Sequence, residues 1–94
     1  MAEQTYYSAK PGVMDCDIGG ERALLHLETN EYFTLNQAAS KIWLTLTEPK
    51  SLEDLVEVIT NSFEVTAAQC RPDIEELLEQ MKSANVVEKI EGSV

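Results

Sequence analysis

Few residues in this chain are of types that could do chemistry. They are two cysteines, Cys16 and Cys70, one histidine, His26, one tryptophan, Trp43, and a run of carboxylates at Asp73, Glu75, Glu76 and Glu79. A thiol nucleophile needs a base or a cationic setting to draw off its proton, and no pattern around either cysteine supports one. A zinc site takes four ligands, more than two distant cysteines and a lone histidine supply. Both thiols therefore read as reduced and core or near-core, because free cysteine is among the most often buried residue types. No phosphate-cradling glycine loop, nucleophile–base pair or two-carboxylate site emerges either. The chemistry left is recognition.

Charge narrows what could be recognised. The chain carries 17 acidic against 7 basic residues, a formal net charge of −10. Such a field repels phosphate backbones and anionic membranes and favours a basic partner, although acidic surfaces also serve solubility alone. The longest apolar runs span a few residues, far short of the roughly 20 needed to cross a bilayer. The opening MAEQTYYSAKPG has no basic segment followed by an apolar one, so no signal peptide is expected and the chain reads as cytoplasmic. Its 94 residues, 44% of them apolar, suffice for one small core and not for two domains.

The elements that must position these residues are organised around residues 23–43, ALLHLETNEYFTLNQAASKIW. There, period-2 alternation gives way at Asn36 to apolar spacings of three and four. A hairpin feeding a helix is the expected nucleus. Residues 1–12 are polar and aperiodic, end in Pro11-Gly12, and read as a flexible lead-in. Strands are expected over 13–18, 23–28 and 31–35, turned at Gly19-Gly20 and Thr29-Asn30. Alternation assigns Cys16, Ile18, Leu25, Leu27, Phe33 and Leu35 to the inner face of an antiparallel meander. Such a sheet keeps an edge of unpaired backbone donors and acceptors.

Asn36 is a favoured N-cap, and Ala38, Ala39, Ile42, Trp43 and Leu46 form one stripe behind it, with Trp43 as a core anchor. Pro49 ends this helix near Thr47. Ser51 with Asp54 resembles a capping box for a second helix with the stripe Leu52, Leu55, Val56, Ile59 and Phe63. Thr66 with Gln69 offers another for the third and longest helix. That helix either continues through Pro72 with a kink or starts its regular part near Arg71 with Pro72 as its first residue. Its stripe is Cys70, Ile74, Leu77, Leu78 and Met81, and carboxylates crowd its early turns, where the helix dipole favours them. Asn85 is the expected C′ residue, followed by an extended tail through Val86, Val87 and Ile90. Strands first and helices after define an α+β class, winged helix-turn-helix-like, with a three-stranded antiparallel sheet followed by three helices.

In this order and spacing the residues resemble a family. The runs LLHLETNEYFTLNQAASKIW, SLEDLVEVITNSFEV and CRPDIEELLEQMKSANVVE are similar to PqqD-like proteins, also called RiPP recognition elements. These are small peptide chaperones that bind the leader of a ribosomally made precursor peptide. The resemblance is carried by a strand ending Tyr32-Phe33-x-Leu35-Asn36, the Ile42-Trp43 pair, the capped second helix and Cys70-x-x-Asp73-Ile74-x-x-Leu77-Leu78. It makes residues 13–90 the leader-binding domain, between the lead-in and a short C-terminal tail at 91–94. The chain looks more like the stand-alone leader-binding proteins of lasso-peptide biosynthesis than like the pyrroloquinoline quinone protein. The latter's Pro-Glu before Leu-Asn and Asp-Gly after the first helix are absent here.

The resemblance implies that the leader adds as a further strand to the edge of the third strand, in the groove beside the third helix. Main-chain hydrogen bonds then supply affinity, and side-chain pockets supply selectivity. The candidate contacts are Glu31, Tyr32, Phe33, Thr34 and Leu35 on the strand, and Cys70, Asp73, Ile74, Glu76, Leu77, Gln80 and Met81 on the helix. Tyr32 and Thr34 lie off the core-closing face, which favours direct contact. Phe33, Leu35, Ile74, Leu77 and Met81 would serve equally as plain core, and the acids suit basic leader residues.

The implied role is non-catalytic, with no cofactor and no metal. The domain tethers a precursor and presents its core segment to separate enzymes, in a lasso pathway a cysteine protease and an ATP-dependent cyclase. The alternatives are a pyrroloquinoline-quinone-type peptide chaperone, a winged-helix DNA-binding protein, or an adaptor for another peptide or protein. The DNA reading would press four carboxylates and no cation, over residues 73–79, against phosphates.

Overall fold

The computed structural model of the chain describes residues 3–93. In chain order the elements are β1 (Glu3–Ala9), β2 (Val13–Asp17), β3 (Arg22–His26), β4 (Tyr32–Leu35), α1 (Gln37–Thr45), α2 (Leu52–Ser62), α3 (Ala67–Ser83) and β5 (Val87–Ser93). Strands β2, β3 and β4 form the expected antiparallel meander, and three helices follow it, so the architecture is α+β and winged helix-turn-helix-like.

Each helix starts where its cap places it. Asn36 Oδ1 accepts the Ala39 N–H at 2.9 Å. Ser51 with Asp54 and Thr66 with Gln69 form reciprocal capping boxes, which satisfy amides that a helix start otherwise leaves bare. α3 therefore begins at the Thr66 box and runs through Pro72, which sits inside the helix and costs it one hydrogen bond. At the other end Asn85 adopts φ 63°, the left-handed geometry that reverses the chain into β5.

The core lies between the helices and one face of the meander. Leu24, Leu46, Leu55, Leu78, Val86 and Val87 are exposed by 1% or less. Enclosing a side chain of this kind contributes about 1.5–3 kcal/mol.

Two sequence expectations are corrected. Over Glu3–Ala9 the N-terminal lead-in is a strand, paired antiparallel with β5 from Glu3↔Ser93 to Ala9↔Val87. It is also tied to the helices: Tyr7 and Lys50 exchange backbone bonds at 2.7 and 2.9 Å, and the Ala9 N–H donates to the Leu46 carbonyl at 2.9 Å. The expected tail likewise continues β5 through Ser93; residues 1, 2 and 94 lie outside the described residues. Polar residues serve here because backbone pairing, with a partner at the far end of the chain, holds the strand.

The second correction is the face of the wing. The register pairs Asp15 with Leu24 and Leu24 with Phe33, so these three share a side. Leu24 is core, and Phe33 packs against it. The helix-facing side therefore carries Val13, Asp15, Leu24, His26, Phe33 and Leu35. Of the six residues expected inside, Phe33 and Leu35 are there, while Cys16, Ile18, Leu25 and Leu27 lie on the opposite face. Cys16 is exposed, not near-core; Cys70 is buried.

Candidate functional site

β4 is an edge strand: among the described residues the sheet order β2-β3-β4 puts nothing beyond it. Its ladder phase follows from one bond, the His26 N–H to the Glu31 carbonyl at 2.9 Å. In an antiparallel pair alternate residues bond the same neighbour, so 31, 33 and 35 face β3. The N–H and C=O of Tyr32 and Thr34 are thereby directed to the open side.

Both ends of this edge are held. At its start, the hairpin turn is organised by His26, whose Nδ1 accepts the Glu28 and Thr29 amides at 3.2 and 3.4 Å. Asn30 in the turn takes φ 60°, which asparagine tolerates better than most residues. At its end, Ser40 Oγ donates to the Leu35 carbonyl at 3.2 Å, next to the Asn36 cap. An edge fixed this way loses little entropy when a further strand joins it.

Alongside runs a trough. Phe33, Thr34, Leu35, Leu77, Gln80 and Met81 help line a space of about 430 Å3 between β4 and α3. Cys70, Asp73, Ile74, Glu76, Leu77 and Gln80 help line another, of about 520 Å3, between α3 and the start of α1. Asn36, Ala39, Leu77 and Gln80 line both, so the two are continuous. Leu35, Cys70, Ile74 and Met81 are buried beneath the trough, Phe33 and Leu77 are half-buried in its wall, and Asp73, Glu76 and Gln80 stand exposed on its rim.

Ten of the twelve candidate residues thus come together. Glu31 and Tyr32 line neither space: Glu31 contributes its carbonyl to the hairpin, and the Tyr32 side chain points to the outer face of the sheet. Sequence reasoning missed Asn36, Ala38 and Ala39 on the far wall, and Phe63 and Val65 at the end. Two clues were available: the adjacent small residues Ala38-Ala39 leave room on a helix, and Val65 is apolar directly before the Thr66 cap.

Acid dominates the rim. The two cations of α3 are engaged elsewhere: Arg71 holds both carboxylate oxygens of Glu53 on α2, at 2.9 Å from Nη2, and Lys82 lies 3.3 Å from Glu79. The hydrogen bond from Arg71 holds the Glu53 carboxyl below its ordinary range and raises the guanidinium above its own. Among the described residues no ion pair involves Asp73 or Glu76, so their charge is available to a ligand. Among the same residues no cluster of histidine, cysteine and carboxylate could hold a metal ion, and no helix is long and apolar enough to cross a membrane.

An open edge over a helix-walled, acid-rimmed trough defines the class: a winged α+β domain shaped to accept an extended segment. Residues 21–87 match the family model described as Coenzyme PQQ synthesis protein D (PqqD), and the chain belongs to that family. Among solved structures it is similar to TbiB1 in complex with the TbiA(beta) leader peptide. The identity is 30% over 86% of this chain and 94% of that one, with a TM-score of 0.78. It shares its fold with a lasso peptide synthetase B1 complexed with the leader peptide, at 23% identity over 87% of this chain and 96% of that one, TM-score 0.75. No curated protein matches the chain.

Proposed function

We propose that this chain is a non-catalytic, cytoplasmic recognition module that captures the leader of a ribosomally synthesised precursor peptide and delivers it to separate maturation enzymes, in a lasso-type pathway a protease and a cyclase. The observation that carries this reading is the unpaired Tyr32 and Thr34 backbone beside the Leu77–Gln80 stretch of the trough. A leader strand there exchanges main-chain hydrogen bonds with β4 while every second side chain enters the trough. Residues 13–90 are the binding domain. Phe33, Leu35, Cys70, Ile74, Leu77 and Met81 take apolar leader residues, Gln80 polar ones, and Asp73 and Glu76 basic ones; Tyr32 and Thr34 contribute through the backbone, and Glu31, whose carbonyl is held by His26, fixes the hairpin. Similarity at 30% identity to a protein solved with its leader peptide supports the assignment. The family match supports the quinone-type peptide chaperone as the second reading. It differs in the precursor bound and keeps the site.

The test is titration of the full chain with a labelled leader from the neighbouring precursor gene, combined with amide exchange. Slowed exchange at Tyr32 and Thr34, with Phe33 and Leu35 already slow in the free protein, is the expected pattern. Saturable binding that leaves the Tyr32 and Thr34 amides unprotected refutes strand addition. Precursors from a lasso cluster and from a quinone cluster, compared side by side, separate the two pathways.

A further inference from the structure

The outer face of the meander is apolar, and among the described residues no element packs on it. Met14, Leu25 and Tyr32 stand side by side across β2, β3 and β4 on the side turned away from the helices. The same alternation adds Ile18 at one end and Leu27 at the other. Met14, Ile18, Leu27 and Tyr32 are 58, 50, 52 and 64% exposed, an arrangement that a small monomeric surface rarely leaves bare. The other positions on this face are Cys16, Ala23 and Thr34, so it holds no charge in a chain of net charge −10. Charge rings it instead. Glu21 at one hairpin end and Glu28 and Glu31 at the other are exposed acids, with Lys10 lining a space beside Leu27 and Glu28, while Asp17 and Arg22, paired across β2 and β3, share the inner side, where Arg22 is bound to Asp15 at 2.9 Å.

We propose that this face docks a folded protein whose contact patch has an apolar centre and a rim of lysine and arginine. Resting on the leader-binding reading, we assign that partner to one of the separate maturation enzymes. Charge selects this occupant over the others. Two copies of the chain placed face to face would set one acidic ring against another, and an anionic membrane would meet the same ring, whereas a basic rim meets it with opposite charge and an apolar centre removes Met14, Leu25 and Leu27 from water. The dock lies on the flat of the sheet and the trough on its helix side, so the enzyme and the leader use different sides of β4.

The experiment compares full-length wild type, Met14→Glu/Leu27→Glu and Glu21→Lys/Glu28→Lys. Each is titrated with the labelled leader and, separately, with the purified protease and the purified cyclase of the same pathway. The apolar-face variant is expected to weaken binding of one enzyme by about tenfold or more, as for a central interface anchor, with leader affinity within about twofold of wild type. The rim variant is expected to weaken the same enzyme at low salt and to converge on wild type at high salt. That enzyme also slows alkylation of Cys16, which stands on the face, while buried Cys70 is unreactive throughout. Enzyme binding that is indifferent to both variants, or the absence of binding by either enzyme, overturns the assignment. So does a wild-type dimer that Met14→Glu/Leu27→Glu dissociates in sedimentation, since the occupant is then a second copy. Loss of leader binding by wild type with enzyme binding intact sinks the leader reading instead, and the face is still tested.

Discussion

The indole Nε1 of Trp43 on α1 donates to Asp15 Oδ2 on β2 at 3.0 Å, across 28 residues of sequence. The same oxygen accepts Arg22 Nη1 at 2.9 Å. A buried indole N–H needs a partner, and this carboxylate is the one the wing presents to the helices. The bond therefore helps decide which side of the meander faces the core. Removing the acceptor strands the N–H of a residue only 6% exposed. Asp15→Ala is expected to cost about 1–3 kcal/mol, and Asp15→Asn, which keeps an oxygen, less. Urea unfolding followed by Trp43 fluorescence checks both, and equal midpoints for wild type and Asp15→Ala would remove the bond from the account.

Thr34 offers its amide to the open edge, and Phe33 offers its own to β3. Proline at Thr34 deletes a donor that the free protein leaves unused, so folding is spared while an added strand loses a bond. Leader affinity is expected to fall by about tenfold or more, the effect of leaving a buried carbonyl unpaired at about 1–3 kcal/mol. Thr34→Val, which keeps the amide, should bind nearly as wild type. Phe33→Pro should instead lower the thermal midpoint. Equal leader binding by Thr34→Pro and Thr34→Val rules out strand addition at this edge.

Asp73 and Glu76 stand on the rim with the cations of α3 already paired to Glu53 and Glu79. Lysine at either position is expected to weaken a basic leader about two- to fivefold at low salt, the scale of exposed charge pairs, with little change in stability. The effect should shrink as salt rises. Polarisation titrations at two ionic strengths provide the check; unchanged affinity in both variants removes the electrostatic part of the site.

Glu53 and Arg71 join α2 to α3. The guanidinium depresses the Glu53 carboxyl in the folded state. The pair's contribution is therefore fully present above the unfolded glutamate value and is lost as pH falls through the folded one. Glu53→Gln should be less stable than wild type at neutral pH, and the gap should close in acid. Asp17 follows the same direction, because it accepts the Gly20 and Gly19 amides in the hairpin turn. Thermal melts across the acidic range report the closing gap; a difference constant with pH contradicts it.

Local chemistry made much of this molecule legible. Asn36 and Ser51 announced two helix starts and Thr66 one of the two open for α3, because a cap is a contact between residues three apart. Asn85 announced the reversal after α3. The spacing of Ile74, Leu77, Leu78 and Met81 identified the helix side that walls the trough, and Phe33 and Leu35 the strand side that meets it. The far wall was legible only as hints: Ala38, Ala39 and Val65 reach the trough because α1 and the turn before α3 are brought against it.

What the amino-acid order determined by itself is what depends on neighbours: the three meander strands and three helices, the caps that start them, the acid excess, and the α+β class. What only the tertiary structure decided is which of two apolar faces of the wing is buried, and where the ends of the chain go. Leu24 and Leu25 are equally apolar and point opposite ways, so alternation alone cannot rank them. The choice falls to distant partners, Trp43 bonding Asp15 and the core closing over Leu24. In the same way β1 exists because β5 lies beside it, a pairing between residues at opposite ends of the chain that no local pattern encodes.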